Sequence, residues 1–160
     1  HRDSLGNVEG IPKGDVQRMS AGKGVVHSEF NHAEGQQTHF LQIWVEPDIR
    51  GIEPSYEQKT FATPDKEGAL KLIVSSDGDA ESVKINADIR LYAGLFNDNQ
   101  HASLVIDPRR KAYVHVIRGS ITVNEIVLNG GDGLMMSEER QVILSDGQNT
   151  EVLVFDLKAN

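Results

Sequence analysis

The strongest chemical signal in the sequence is a histidine and a glutamate two residues apart, His27 and Glu29. They lie in the apolar run Val25–Phe30, which predicts a β-strand, and residues two apart on a strand point to the same face. An imidazole and a carboxylate would then converge on one point, and both are ligands that divalent metals use. The spacing alone is also typical of an exposed polar face. The apolar neighbours favour a buried strand, where an ionisable pair needs a cation or hydrogen bonds.

The other polar candidates give weaker signals. His39 lies in the apolar segment Thr38–Val45, and His32 lies in a polar stretch. We expect His39 on the surface or at the rim of a barrel, and His32 in a solvated loop. His115 is expected to be a hydrogen-bonded histidine of a second β unit. Ser28 has no histidine and aspartate partners at a defined spacing, so no nucleophilic triad is predicted.

The apolar segments predict an all-β protein. Short runs rich in Val, Ile and Leu alternate with Gly, Asn, Asp and Pro at intervals typical of β-sandwiches and barrels. The predicted strands include Thr38–Val45 and Tyr56–Phe61. We expect Met19, Phe40 and Trp44 to lie in a core rather than to line a barrel mouth. The helical signal is confined to Ser137–Arg140, where a serine followed by acidic residues is typical of one capped turn.

A stretch rich in proline and glycine divides the chain into two β units. We predict a first unit at residues 1–46, a connection at 47–69 and a second unit at 70–160. The sequence begins at His1 with no initiator methionine or signal peptide, so we expect a fragment, a processed form or a trimmed chain.

A weak internal repeat relates the two units. Gly14-Asp15 in the first unit and Gly131-Asp132 in the second are predicted to lead into equivalent corners. About twelve residues after the aspartate, the first unit has His27, whereas the second has Ile143 and Leu144. The second unit is therefore predicted to keep a core and no metal ligands.

Composition and charge narrow the function classes. The chain has 160 residues, of which 38% are hydrophobic, a formal net charge of −8 and no cysteine. The negative charge argues against direct binding to nucleic acid or anionic lipid, and the basic cluster Arg109-Arg110-Lys111 is expected to be a solvated turn. No stretch approaches the roughly 18 apolar residues of a membrane span. We expect a soluble, cytoplasmic protein without disulfides or thiolate metal ligands.

Longer motifs resemble a known family along essentially the whole chain. The first motif is His1-Arg2-Asp3-Ser4-Leu5-Gly6-Asn7, and the second is Pro12-x-Gly14-Asp15-x-Gln17-x-Met19-x-Ala21-Gly22-x-Gly24-x-x-His27-Ser28-Glu29. The segments Phe40–Val45 and Pro54–Gln58 and the ending Glu151–Leu157 complete the pattern. Together they resemble the pirin family. The resemblance implies a bicupin, two double-stranded β-helix (jelly-roll) barrels in one chain, with an incomplete first barrel here.

The resemblance also implies a metal site. Pirins hold one divalent metal, most commonly Fe(II), in the N-terminal barrel through a His-x-His pair, a third histidine and a glutamate, and Ni, Cu, Mn or Zn would suit the same donors. His27 and Glu29 match the last two ligands. No His-x-His occurs in the sequence. The resemblance therefore implies a pirin chain without about its first third, the part that carries that pair.

Two functions follow from the resemblance. One is a quercetin 2,3-dioxygenase activity that opens a flavonol, a small planar aromatic substrate, with O₂, in which Glu29 also takes the flavonol proton. The alternative is a metal-dependent protein-interaction module or a transcriptional or metabolic co-regulator without catalysis. A third possibility is that only the second unit folds and has no independent activity. Exposed barrel edges would favour oligomerisation.

Overall fold

The computed structural model describes residues 1–159 and has the predicted all-β architecture. The helical elements of these residues are two 3₁₀ turns, Thr63–Asp65 and Asp79–Glu81. Within residues 1–159, no helix is long and apolar enough to cross a membrane. The strands are β1 Arg2–Asp3, β2 Asp15–Ser20, β3 His27–Ser28, β4 Ser55–Thr60, β5 Leu70–Ser75, β6 Val83–Lys84, β7 Ile89–Phe96, β8 Ala102–Val105, β9 Lys111–Val123, β10 Ile126–Asn129, β11 Gly133–Ser137 and β12 Gln141–Leu157.

Eight strands of the second unit form one sheet. The hydrogen-bonded order is β10-β9-β12-β7-β5-β6, with β11 also paired to β9 and β8 also paired to β12. The long strand β9 pairs with β10, β11 and β12, and the long strand β12 pairs with β7, β8 and β9. The register of β12 against β9 shifts between Ser145 and Val152, which is where β12 bends. Gly147 lies in this bend, and a Cβ there would be 2.6 Å from the Cβ of Phe96, so only glycine fits without rearrangement.

The two faces of this sheet bury two separate cores. Alternate residues of β9, Ala112, Val114 and Val116, are at most 1% exposed and lie inside the barrel with Phe96. The intervening residues face the opposite side, as a period of two requires. There Tyr113 packs into the second core, whose members include buried and partly buried residues of both units: Val16, Val45, Phe61, Val83, Ile89, Leu153 and Phe155.

The first unit consists of two small antiparallel sheets rather than a closed barrel. Strand β1 pairs with β3, and all six residues of β2 pair with β4, from Asp15 opposite Thr60 to Ser20 opposite Ser55. Strand β4 lies within the segment 47–69 that was predicted to be a connection. This segment therefore contributes a strand to the first unit, and the limits of the two units remain predictions.

Two local predictions are wrong, and a third is confirmed only in part. The segment Thr38–Val45 forms no strand, and its Trp44 is 90% and Phe40 63% exposed instead of lying in a core. Val25–Phe30 contributes only the two residues of β3, and its apolar side chains at both ends lack the expected burial, with Phe30 77% exposed. A strand is stable only when another strand takes its backbone hydrogen bonds, and β3 has only the two-residue β1 as its partner.

The predicted helical turn at Ser137–Arg140 is also wrong. Ser137 is the last residue of β11, and Glu138 has a φ of 61°, which lies outside the right-handed helical region.

The corners of the internal repeat have matching geometry. Gly14 and Gly131 have φ values of 93° and 94°. The backbone N–H of Asp15 donates to the carbonyl of Pro12, and that of Asp132 donates to the carbonyl of Asn129, at 3.1 and 2.9 Å. Both are turns that require a positive φ at the third residue, where glycine carries no penalty. Beyond the second corner, Leu144 is fully buried at the position that corresponds to His27.

The basic cluster at Arg109-Arg110-Lys111 is paired within the chain. Arg109 lies at the surface and binds Asp107, as expected of a solvated turn. Arg110 is only 22% exposed and joins two strand ends: its Nε donates to Asp156 at 2.5 Å and its Nη1 to Asp88 at 3.0 Å. The hydrogen bond from Arg110 is the main reason that the pKa of Asp88 lies below its usual range.

We expect Arg110→Gln to destabilise the protein by about 1 kcal/mol near neutral pH, because it leaves two carboxylates without their shared cation. Asp88 has a lowered pKa in the folded state, so its contribution is present above its ordinary pKa and is lost as the pH falls below about 4. The difference between the wild type and the variant should therefore shrink in acid. Urea unfolding at several pH values measures this. The control Arg109→Gln removes an exposed pair and should change stability little; an equal loss in both variants would contradict the prediction.

Candidate metal centre

The register of two short strands places four polar side chains on one face. In the antiparallel pair, Asp3 of β1 lies opposite His27 of β3. Directly opposite residues share a face, and so do residues two positions away along each strand. Continuing the register by two residues sets His1 opposite Glu29. The two-residue spacing of His1 and Asp3 therefore repeats that of His27 and Glu29 on the neighbouring segment.

The side chains on this face approach one another closely around His1. The imidazole rings of His1 and His27 are stacked, with 5.7 Å between their centroids. Nδ1 of His1 lies 3.9 Å from Oε1 of Glu29. The ring of Tyr56, from β4, lies 5.0 Å from the His1 ring on a tilted plane. The side chain of His1 is fully buried, whereas that of Glu29 is 29% exposed and can reach solvent or a ligand.

Asp3 holds the His1 ring through a hydrogen bond to Nε2. Its carboxylate accepts hydrogen bonds from the backbone N–H of Leu5 at 2.9 Å, the backbone N–H of Asn7 at 3.0 Å and the side chain of Asn7 at 2.8 Å. Burial alone would raise the pKa of Asp3, but these hydrogen bonds outweigh it and hold the pKa below its usual range. The carboxylate is therefore ionised and can only accept. Nε2 of His1, 2.9 Å away, must carry the proton between them.

The other nitrogen of the same ring has no partner. Because Nε2 is bound to Asp3, Nδ1 is the ring nitrogen that remains for a second partner. Among residues 1–159, Nδ1 of His1 is the one buried side-chain nitrogen or oxygen that makes no hydrogen bond. Its nearest ionic neighbour is Glu29, at a distance beyond hydrogen-bond range. A buried polar atom without a partner is costly, so a further hydrogen bond at this edge of the ring would be stabilising.

Tyr56 and its neighbours form a polar ladder beside the site. The Tyr56 hydroxyl accepts a hydrogen bond from Gln17 at 2.9 Å and donates to Gln58. Gln58 in turn donates to Asp15 at 2.6 Å. Burial, the main cause, raises the pKa of Tyr56, so its hydroxyl remains a proton donor at neutral pH. This ladder spans β2 and β4 and holds the Tyr56 ring against His1.

The donors fit a metal in kind but not in number. An imidazole and a carboxylate, from His27 and Glu29, suit a divalent ion. Within the described part of the chain, however, no three histidine, aspartate or glutamate side chains are arranged to hold a metal ion. His32 and His39 are exposed and are not among the side chains around His1. The residues present can therefore supply two ligands, and other donors would be needed to complete the site.

Sequence reasoning did not single out His1, Asp3 and Tyr56 as parts of this site. One signal was present, because His1 and Asp3 show the same two-residue spacing as His27 and Glu29 within the first family-like motif. Their proximity depends on the pairing of β1 with β3, segments more than twenty residues apart, which spacing alone does not specify.

Comparison with known proteins identifies the family. Residues 1–45 match the family described as Pirin, and residues 72–157 match the family described as Quercetinase C-terminal cupin domain. The quercetin 2,3-dioxygenase of Escherichia coli K12 is 35% identical over 157 residues, which cover 98% of this chain and 67% of that protein. The chain belongs to the pirin family. It spans about two thirds of the length of this pirin relative.

Solved pirin structures confirm the predicted cupin fold. The crystal structure of YhhW from E. coli superposes with a TM-score of 0.92 at 33% identity, covering 99% of this chain and 67% of that one. The structure of the bacterial pirin YhhW in complex with nickel(II) gives a TM-score of 0.90 at the same identity and coverage. The metal ion in that relative is therefore nickel(II).

Proposed function

We propose that this chain takes part in the oxidation of a flavonol by O₂, as a quercetin 2,3-dioxygenase, with His27 and Glu29 as two ligands of one divalent metal. The observation that carries the proposal is the β1–β3 register, which brings His27 and Glu29 together with a buried histidine on one face. The 35% identity to a protein named quercetin 2,3-dioxygenase supports the choice of reaction and of substrates, a flavonol and O₂.

The residues of the chain have separate tasks in this reaction. His27 presents an imidazole whose plane is held by stacking on His1. Glu29 has a partly exposed carboxylate, so one oxygen can bind a cation while the other accepts the proton of the flavonol hydroxyl. A divalent ion, for which we propose Fe(II), would polarise and orient the two substrates when bound. Two protein ligands alone seldom hold such an ion tightly, so we expect donors beyond these 160 residues to complete the site.

The experiment follows quercetin absorbance and O₂ uptake after Fe(II) is added. It compares the 160-residue chain with a version extended upstream by a pirin segment that carries His-x-His. We expect turnover in the extended version, and its loss in Glu29→Gln and His27→Ala. His39→Gln, which changes an exposed imidazole, is the matched control and should turn over normally. Absence of turnover in both versions, or full turnover in Glu29→Gln, would refute the proposal.

Exposed apolar side chains favour a second candidate function, metal-dependent binding of a protein partner. Trp44 is 90%, Phe30 77% and Phe40 63% exposed in the segment that follows β3. Large exposed apolar groups mark interaction surfaces or sites of self-association. Light scattering distinguishes self-association from binding to a different protein. A partner captured in a metal-dependent manner, and lost in His27→Ala, would support this function; metal-independent capture would oppose it.

A further inference from the structure

His1 lies next to both proposed ligands, although the resemblance gives it no role. Its side chain is fully buried, stacks on His27 on one side and faces Glu29 at its Nδ1 edge. Nδ1 is also the one buried side-chain nitrogen or oxygen of residues 1–159 that has no hydrogen-bond partner. Together these observations place His1 against both His27 and Glu29.

The orientation of the His1 ring is fixed by its surroundings. The ionised Asp3 accepts the proton of Nε2 and is itself held by Leu5 and Asn7. Tyr56 packs against the ring from β4. With one nitrogen bound and the ring plane constrained, the ring cannot turn without breaking the hydrogen bond to Asp3. These contacts therefore keep Nδ1 facing Glu29.

We propose that His1, held by Asp3, is a positioning residue that sets the orientation of His27 and Glu29 as metal ligands. Stacking restricts rotation of the His27 ring, since the two centroids are 5.7 Å apart. Oε1 of Glu29 needs to move by only about 1 Å to make a hydrogen bond with Nδ1, which requires one proton carried by either group. With Oε1 turned toward His1, Oε2 is left to bind a metal ion. The proposal rests on the assignment of His27 and Glu29 in the proposed function.

Ring orientation can be tested without any metal. In nuclear magnetic resonance spectra of the metal-free chain, we expect contacts between the His1 and His27 rings and a single set of His27 ring signals. His1→Ala and Asp3→Asn should shift and broaden those signals. Arg2→Gln, on the opposite face of β1, is the control and should leave them unchanged. Unaltered His27 signals in His1→Ala would overturn the proposal, whatever the outcome of the dioxygenase assay.

A metal-binding readout adds a second test in the version extended upstream. His1→Phe keeps an aromatic ring for packing but loses both nitrogens, and we expect it to weaken Co(II) binding about 10-fold to 100-fold. The absorption spectrum of bound Co(II) should also change, while the thermal unfolding temperature stays close to that of the wild type. Wild-type affinity and spectrum in His1→Phe would overturn the role of Nδ1. Failure of the wild type itself to bind Co(II) would instead oppose the proposed function.

Discussion

Replacing His27 with alanine is expected to weaken the binding of Fe(II) or Ni(II) by at least about 100-fold, and replacing Glu29 with glutamine is expected to do the same. Each change removes one of the two ligands that this chain supplies to the site, so the donors that remain hold the ion less tightly. Calorimetric titration of the version extended upstream measures the loss. Both variants should keep the fold, because neither His27 nor Glu29 belongs to either hydrophobic core.

Two exposed imidazoles provide the controls for this prediction. His32→Ala and His39→Ala also remove a histidine from the first unit, but neither side chain lies on the face defined by β1 and β3. We expect both to bind metal as the wild type does. Equal losses in His27→Ala and His39→Ala would show that the ion is held without a defined site and would contradict the assignment.

The largest loss of stability is expected from Phe96→Ala, at about 3–5 kcal/mol. Phe96 ends β7, has no exposed surface and is the largest fully buried side chain of the barrel core. Two glycines show how tightly it is packed: a Cβ at Gly94 would be 2.5 Å from its ring, and one at Gly147 would be 2.6 Å from its Cβ. The backbone at these two glycines cannot easily move into the cavity that Phe96→Ala would leave, so most of the lost free energy of unfolding is not regained by relaxation.

Urea unfolding of the whole chain tests this prediction. Phe40→Ala removes the same side chain from a site that is 63% exposed and should change the free energy of unfolding by less than about 0.5 kcal/mol. Similar losses in the two variants would contradict the account of the core. A loss confined to Phe96→Ala is the expected result.

The fold could be predicted from the sequence where local signals determine it. The alternation of small apolar and partly polar residues in β9 specifies which side chains enter the barrel, and the paired glycines at 14 and 131 specify equivalent corners. Trp44 shows the limit of this reasoning. Its segment has the composition of a strand, but a strand also requires a partner, and the described residues provide none there.

The site could be predicted only in part for a related reason. The spacing of His27 and Glu29 is local and visible in the sequence, whereas the contribution of His1 depends on the pairing of β1 with β3. Arg110 shows, outside the site, that long-range partners cannot be identified from the local sequence. As part of a basic run it suggests a solvated turn, but its two partners, Asp88 and Asp156, are 22 and 46 residues away. Long-range pairing of this kind is a property of the fold and not of the local sequence.

The most direct test of the metal assignment is anomalous X-ray diffraction from crystals of the upstream-extended version loaded with Ni(II). We expect one strong anomalous peak, at about 2.0–2.2 Å from a ring nitrogen of His27 and from a carboxylate oxygen of Glu29. A peak bound instead by His101 or His115, or no peak in a crystal where both side chains are ordered, would contradict the assignment of His27 and Glu29 as metal ligands.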